Sequence, residues 1–170
     1  MIANNLENWR LINGYDNYEI SSHGRCRNNR TSRILKHGVN SMGYYTVNLS
    51  KDKISKNYQI HRLVADAFLE NPLNKKCVDH IDGNPKNNML CNLRWATTKE
   101  NCANRSKLKN TSSSYKGVTW NKKNKKWEAR ISINGKVSYI GCFKNEEDAG
   151  RAYDEKAREN FGEFCKCNFN

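Results

Sequence analysis

Val78-Asp79-His80-Ile81-Asp82-Gly83-Asn84, then an Asn-rich loop, then Asn92-Leu93-Arg94-Trp95 and Thr97-Thr98-Lys99-Glu100-Asn101: this is the stretch on which the reading of the chain turns. The first segment runs from an apolar strand into a turn, and the second reads as its antiparallel partner. Thr97 with Glu100 three residues on has the capping-box pattern, so a helix should start there, with Asn101 at the end of its first turn. The unit is strand, loop, strand, helix. Such a hairpin packed on a helix can bring Asp79, His80 and Asn101 together although some twenty positions separate them. A carboxylate and an amide oxygen are hard ligands, suited to Mg²⁺ or Mn²⁺ and poorly suited to zinc. A neighbouring imidazole can act as a general base near neutral pH. Together they are the minimum kit for hydrolysing a phosphodiester.

Upstream of this stretch, residues 8–49 are rich in aromatic side chains and carry Gly14, Gly24, Gly38 and Gly43, the pattern of short strands with tight turns. Tyr44-Tyr45-Thr46-Val47-Asn48-Leu49 alternates well enough to be one strand. Ile60, Leu63, Val64, Ala67 and Phe68 recur at helical spacing and predict one apolar helix face, ended by Asn71-Pro72. Downstream, residues 105–114 are basic and Ser-rich without periodicity and read as a linker.

The last third folds on paper. A short strand runs over residues 116–120. In a second strand Trp127, Ala129, Ile131 and Ile133 alternate with Glu128, Arg130 and Ser132. Alternation makes Trp127 a core residue. Asn134-Gly135 is a strong hairpin turn into a third strand over residues 137–143. Asn145 can cap a following helix whose first turn, Glu146-Glu147-Asp148, suits its dipole. Ala149, Ala152, Tyr153 and Ala157 line one face of that helix, and Gly162 ends it.

Composition agrees with a modular α+β protein. The chain has 170 residues, an apolar fraction of 36% and a net charge of +13 from 30 Lys and Arg against 17 Asp and Glu. With a mean hydropathy of −0.96 there is little material for one large core, so several small modules are expected. So lopsided a charge points to an anionic partner, nucleic acid first. No stretch approaches the ~20 apolar residues of a membrane span. Residues 1–10 lack the apolar core of a secretory signal, so the expected location is the cytoplasm of the host cell rather than the exterior. The seven cysteines include no C-x-x-C pair, so free and mostly buried thiols are expected, with no structural zinc. An irregular zinc site among Cys77, Cys91 and Cys102, or a role for the Cys165-x-Cys167 pair, is the alternative.

From Asp79 to Asn101 the chain resembles the ββα-metal core of HNH endonucleases, in the variant with Asn in place of the last His. Asp79-His80 match the first motif, Asn92 the central Asn and Asn101 the last position. The resemblance implies that His80 activates the attacking water, with Asp79 and Asn101 holding one divalent metal, Mg²⁺ or Mn²⁺. Asn92 would brace the loop and help orient His80. Products would carry 5′-phosphate and 3′-hydroxyl ends.

Asn8-Trp9-Arg10 with Tyr15, Tyr18-Glu19-Ile20-Ser21 and Gly24-Arg25 is similar to the N-terminal module of phage and intron HNH homing enzymes. The Ile60-His61-Arg62-Leu63-Val64-Ala65 helix is typical of them too. Residues 8–71 are covered by this similarity, which implies DNA contact and support for the core. Residues 115–169 resemble an APETALA2-type DNA-binding domain through Tyr115-Lys116-Gly117-Val118, Trp127 with Ala129, Tyr139-Ile140-Gly141 with Phe143, Glu147, Ala149, Ala152-Tyr153-Asp154, Ala157 and Asn168-Phe169. That resemblance implies a sheet that enters the major groove, with Lys116, Arg130 and Tyr139 near DNA. Thr119, Asn121 and Ser132 stand where plant members carry base-reading arginines, so no target sequence carries over.

The expected organisation is an N-terminal DNA-contacting module with its helix (1–71), a nuclease core (72–104), a linker (105–114) and a sheet-plus-helix reader (115–170). Expected DNA contacts are Arg62, Arg94, Lys116, the basic loop residues Lys122, Lys123, Lys125 and Lys126, Arg130 and Tyr139. His61 adjoins the apolar helix face, which favours a structural or phosphate-touching role over catalysis. The expected function is site-specific cutting of double-stranded DNA, one strand per active centre, by a monomer. A catalytically inactive DNA-binding regulator, an RNA-directed protein and a sequence-indifferent defence nuclease are the rivals.

Overall fold

The computed structural model describes residues 6–107 and 110–169. Residues 1–5, and Leu108 and Lys109 of the expected linker, lie outside the described residues. The fold is α+β, with four small antiparallel sheets and short helices in two compact units, residues 1–97 and 98–170.

The first unit begins with β1 (Trp9–Ile12), β2 (Tyr15–Ser21) and β3 (Cys26–Asn28), paired in that order. A second sheet orders β4 (Gly38–Val39), β5 (Tyr45–Lys51) and β6 (Ile54–Gln59), so the N-terminal module holds two sheets where one small sheet was expected. The alternation seen in the sequence sorts β5 cleanly. Val47 and Leu49 are buried, while Asn48 and Ser50 face outward. Across the ladder Thr46 opposes Gln59, Asn48 opposes Asn57 and Ser50 opposes Ser55, so one face of the β5–β6 ribbon is an uncharged row of amides and hydroxyls. Asn57 Nδ2 donates to Asn48 Oδ1 at 2.8 Å within that row.

Helix α1 (Ile60–Phe68) follows without a break and buries Ile60, His61, Leu63, Val64 and Ala65. It stops three residues before Pro72, where Arg10 donates from Nη1 to the Ala67 carbonyl at 2.7 Å and lies over the Phe68 ring. Strands β7 (Cys77–His80) and β8 (Leu93–Ala96) form the two-stranded sheet, with Asp79 opposite Arg94 and His80 opposite Leu93. One apolar cluster joins all of this: Ile12, Ile20, Val47, Leu49, Val64, Val78 and Leu93 belong to the same core. The charge-rich, low-hydropathy chain thus still gathers one core for the whole first unit.

The second unit holds α2 (Thr98–Ala103), then β9 (Val118–Asn121), β10 (Lys126–Ile133) and β11 (Lys136–Phe143) in the order β11-β10-β9, and α3 (Glu146–Phe161). The unit boundary falls inside the expected 72–104 segment. Asn134 and Gly135, at φ 54° and 75°, make the hairpin turn that their sequence predicts. Val118 and Ala129 pack on Ala149, and Ile131 packs on Tyr153 and Ala157, which closes the sheet against α3. Trp127 packs against this core, edge-on to Trp120 at 5.0 Å. Asn145 occupies the N-cap position of α3 but makes no capping hydrogen bond. Its amide donates instead to the Asp148 carboxylate at 3.1 Å.

Asp154, 1% exposed, accepts from the backbone N–H of Asn168 and of Phe169, at 2.8 Å each, and so ties the chain's last residues to α3. The cysteines are free as expected, but only Cys26 is buried, and Cys91 and Cys102 are exposed. Short sheets with little interior cannot cover more of them.

Gly117 is required by geometry on two counts. Its φ is +77°, and a Cβ built there would overlap the Tyr153 ring. Gly117→Ala is expected to destabilise the second unit by about 2 kcal/mol or more, from left-handed strain plus overpacking. Thermal unfolding of the full chain checks this, and an unshifted transition would refute it.

Candidate active site

Asp79 and His80 are the last two residues of β7, and both are buried, at 3% and 6% exposure. Successive strand residues point to opposite faces, so the pair sends its carboxylate and its imidazole to different partners. Arg94, directly across the ladder, donates from Nε to Asp79 Oδ2 at 2.9 Å. A guanidinium that is itself largely covered is what makes a buried carboxylate tolerable. On the other side, His80 Nε2 lies 3.1 Å from Oδ1 of Asn88, which is also buried. Which ring nitrogen donates depends on the tautomer, and the Asn88 amide oxygen suits Nε2 as a donor.

The loop between β7 and β8 is held by carboxamides. Asn92 Oδ1 accepts from the Asp82 N–H at 3.0 Å, and its Nδ2 donates to Asp82 Oδ1 at 3.0 Å and to the Asn87 carbonyl at 2.9 Å. Asn92 therefore braces the loop. The hydrogen bond that orients His80 comes from Asn88, which the sequence reading left unassigned. Burial pushes the Asp82 carboxyl up, but hydrogen bonds from the Asn84 N–H and the Asn87 and Asn92 amides, with the charge of His80, outweigh it and hold its pKa below the usual value. An ionised Asp82 thus anchors the turn.

The N-terminal module supports this loop directly. Ser22 accepts from the Leu90 N–H at 2.8 Å. Gly24, at φ +76°, lies against Asn88, where an added Cβ would come 2.7 Å from the Asn88 Cβ. The Gly24 that reads as a turn in the sequence is also the residue that lets Asn88 reach His80.

His61, from the first turn of α1, meets the site from below. It is 4% exposed, and its ring stands 5.0 Å from His80 and 4.9 Å from Tyr44. Burial, then the nearby charges of His80 and Arg62, pull its pKa down to about 3, so the ring is uncharged at neutral pH. The structural alternative for His61 fits these contacts.

Other expected site residues fall as follows. Asn101 is half-buried on α2, in the second unit. Arg62 is exposed, with Nη2 on the Lys76 carbonyl at 3.2 Å. Arg94 is an ion-pair partner of Asp79 as well as a candidate DNA contact. Lys116 donates to the Ala103 carbonyl at 2.6 Å and is partly buried, which pulls its pKa down. Its ammonium is thus engaged within the second unit. Lys122, Lys123, Lys125 and Lys126 are exposed around the β9–β10 turn, which Asn121 closes by accepting from the Lys123 and Asn124 N–H groups. Arg130 and Tyr139 are exposed cross-strand partners.

As a cation site the donor chemistry fits. Asp79 offers an anionic hard oxygen at a buried position, oriented by Arg94. Among the described residues no three His, Cys, Asp or Glu side chains cluster as a metal cage.

This geometry, a carboxylate-imidazole pair at the end of a hairpin strand with a carboxamide-braced loop, defines the class. Residues 58–103 match the HNH endonuclease family and residues 7–50 match the NUMOD4 motif. The chain thus carries an HNH endonuclease domain preceded by a NUMOD4 motif. Among its relatives is DNA endonuclease I-HmuI of Bacillus phage SP01, 40% identical over 97 residues, which are 56% of this chain and 56% of that protein. Another is the uncharacterized HNH endonuclease L245 of Acanthamoeba polyphaga mimivirus, 43% identical over 93 residues, 55% of this chain and 28% of the relative. The solved structure described as DNA binding and cleavage by the HNH homing endonuclease I-HmuI superposes with a TM-score of 0.54 at 40% identity, covering 57% of this chain and 56% of that one. The chain spans at most a little over half the length of these relatives. No described helix is long and apolar enough to cross a membrane.

The lowered pKa of His61 has a thermodynamic consequence. The unfolded chain takes up a proton below about pH 6.5, whereas the folded ring resists until about pH 3. The stability tied to this neutral ring is complete above pH 6.5 and lost as pH falls from 6.5 towards 3. Replacing His61 by Phe is expected to flatten the acid side of a stability-against-pH curve from urea unfolding. An unchanged acid slope would contradict the assignment.

Proposed function

We propose that this chain is a site-specific HNH homing endonuclease that hydrolyses phosphodiester bonds of double-stranded DNA, cutting one strand per active centre as a monomer. The observation that carries this reading is the buried Asp79–His80 pair, with His80 Nε2 at 3.1 Å from the Asn88 amide oxygen. His80 takes the proton of the attacking water on its imidazole. The water oxygen adds to phosphorus, and the bond to the 3′ oxygen breaks, leaving 5′-phosphate and 3′-hydroxyl ends. Asp79, oriented by Arg94, would hold the cation, with Asn101 as the second ligand that the resemblance to the family implies. A bound Mg²⁺ or Mn²⁺ supplies polarisation of the phosphate and neutralises charge on the leaving oxygen. Asn92 and Asn88 act as positioning residues, the first through the loop and the second through His80. The relative I-HmuI, named as a DNA endonuclease, supports the same substrate class.

DNA recognition is shared between two kinds of surface. In the first unit the uncharged face of β5–β6, with Asn48, Asn57 and Gln59, offers the paired donors and acceptors that read base edges, and a two-stranded ribbon fits a major groove. In the second unit, a three-stranded sheet on one helix supports the APETALA2-type reading, in which Arg130 and Tyr139 approach the groove. The lysines at 122, 123, 125 and 126 contact phosphate, which positions without specifying.

Two measurements test this. Nicking of supercoiled phage DNA should require Mg²⁺ or Mn²⁺ and fall roughly a hundred- to ten-thousandfold in His80→Ala, the range that loss of a general base produces. Tight binding with no metal-dependent cleavage by the wild type would instead make the protein a DNA-binding regulator. Replacing Lys122 and Lys123 by Ala should flatten the dependence of log affinity on log salt by roughly 0.9 per lost phosphate contact. Replacing Asn57 and Gln59 by Ala should leave that slope alone and broaden the set of sites cut, as read by sequencing the cleaved ends. Equal slopes for wild type and the lysine variant would place this loop off the DNA.

A further inference from the structure

The outward face of the β9–β10–β11 sheet carries one arginine, and a buried carboxylate holds it. Alternation along β10 sends Trp127, Ala129 and Ile131 towards α3, and Glu128, Arg130 and Ser132 to the opposite face. Residues directly opposite in the ladder share a face, so Thr119 and Asn121 of β9 and Tyr139 and Cys142 of β11 lie there too. Arg130 is the only arginine in the three strands, and β10 is the central one.

Glu128 is out of place on such a face. It is 8% exposed, although Arg130 and Ser132 beside it are exposed. On a surface that meets phosphate a carboxylate opposes binding, and the rest of this chain runs the other way, to a net charge of +13. An ion pair with an exposed arginine contributes little to stability, so stability gives little reason for the arrangement. The two carboxylate oxygens have different partners. Oε2 accepts from Arg130 Nη2 at 2.8 Å, and Oε1 accepts from Asn121 Nδ2 at 2.5 Å.

Arg130 is therefore held at one end and open at the other. A guanidinium has five N–H groups in a planar fork, and among the described residues only Glu128 hydrogen-bonds to this one. The side chain is 54% exposed. The ladder is bulged beside it, since Ala129 opposes Gly141 but Arg130 opposes Tyr139, which leaves Ile140 as the extra residue. Bulges raise the local twist and re-aim neighbouring side chains, and they are over-represented beside functional sites. At the far side of Glu128 the chain of contacts continues. Asn121 Oδ1 accepts from the Lys123 and Asn124 N–H groups at 3.0 Å each. One carboxylate thus ties the arginine to the turn that carries the lysines.

We propose, on the reading of the second unit as a DNA-binding sheet, that Arg130 determines specificity by pairing with a guanine, and that Glu128 is its positioning residue. In the major groove guanine presents O6 and N7 as two adjacent acceptors, which an arginine fork matches. A group on the central strand of a sheet in that groove is placed for base edges, whereas the lysines at the turn are placed for phosphate. Glu128 touches no DNA. It fixes the direction of the fork and its register against the lysine turn.

The test is selection of bound duplexes from a random-sequence library by the full chain without divalent metal, so that bound DNA is not cut, followed by sequencing. Wild type is compared with Arg130→Ala, Arg130→Lys, Glu128→Ala, Glu128→Gln and the double variant Glu128→Ala with Arg130→Ala. The salt dependence of affinity for an unselected duplex and thermal unfolding are recorded alongside. Wild type is expected to enrich a guanine at one position that Arg130→Ala relaxes roughly ten- to a hundredfold, the range of a forked arginine–guanine pair. Arg130→Lys keeps the charge, and with it the salt slope, but loses the preference because an ammonium has no fork. Glu128→Ala weakens the preference roughly three- to tenfold by freeing the side chain, while affinity for the unselected duplex holds or rises because a negative charge is gone. Glu128→Gln keeps an acceptor for Arg130 and retains most of the preference. The double variant is no more permissive at that position than Arg130→Ala, since Glu128 acts through Arg130.

Glu128→Ala as strict as wild type at that guanine overturns the positioning role. An unchanged base profile in Arg130→Ala, with the salt slope lower by about 0.9, makes the arginine a phosphate contact and overturns the guanine assignment. Affinity lost for every duplex, together with early unfolding, in both Glu128 variants makes Glu128 a residue of the fold alone and overturns its role too. Binding and salt slope unchanged both in Arg130→Ala and in Lys122→Ala with Lys123→Ala would instead take the second unit off the DNA and remove the reading on which Arg130 and Glu128 were assigned.

Discussion

A carboxylate and an imidazole side by side at the end of one short strand, both almost fully out of water, set the constraint to which the first unit answers. An isolated buried charge is unfavourable by several kcal/mol, and β8 places Arg94 directly opposite the Asp79 carboxylate. The imidazole has a different need. At Nε2 it meets a neutral amide, that of Asn88, and the rings of Tyr44 and His61 lie beside it. The two halves of the pair are thus stabilised by opposite means, one by charge and one by shape.

The loop that carries Asn88 has no apolar core of its own, and its conformation depends on polar closure. Asp82, Asn87 and Asn92 bond to one another across the turn, and the N-terminal sheet contributes a carbonyl at Ser22 and a sterically permissive glycine at position 24. This explains why the NUMOD4 motif and the HNH domain share one hydrophobic cluster, in which Ile20 and Val47 sit with Val78 and Leu93. The N-terminal residues hold the floor on which the loop rests, while Asn48, Ser50 and Asn57 of their polar ribbon face are exposed.

The second unit solves a separate problem with little apolar material. Its sheet is closed on α3 by small residues, Ala129, Ala149 and Ala157, that let the layers approach, and by Tyr153 over Gly117. A buried carboxylate recurs here too, but Asp154 is satisfied by backbone N–H groups and the Asn168 amide, a structural arrangement with no base beside it. Comparing Asp79 with Asp154 shows why burial of a carboxylate is not itself a sign of chemistry. The neighbouring imidazole and the hydrogen-bonded loop make the difference.

Read from the sequence alone, local signals were reliable wherever they were periodic or stereochemically forced. The strand alternation of β5, the apolar face of α1, the Asn134-Gly135 turn and the Asp79-His80 pair were all legible, because each depends on neighbours within a few residues. Charge composition pointed to an anionic partner for the same reason, since it needs no fold. What the sequence did not reveal depends on approach between distant segments. The resemblance implied that Asn92 braces the loop and helps orient His80; Asn92 bonds across the loop, and the hydrogen bond to His80 Nε2 comes from Asn88, one of four carboxamides between positions 84 and 92. Lys116 read as a DNA contact, and its 2.6 Å contact with the Ala103 carbonyl is one that no local pattern signals. His61 looked like one more residue beside an apolar stripe, and only the packing of α1 against β7 sets its ring beside His80. Hydrogen-bond choice among like side chains, and ring contact between separate elements, are fixed by three-dimensional proximity, which no local pattern encodes.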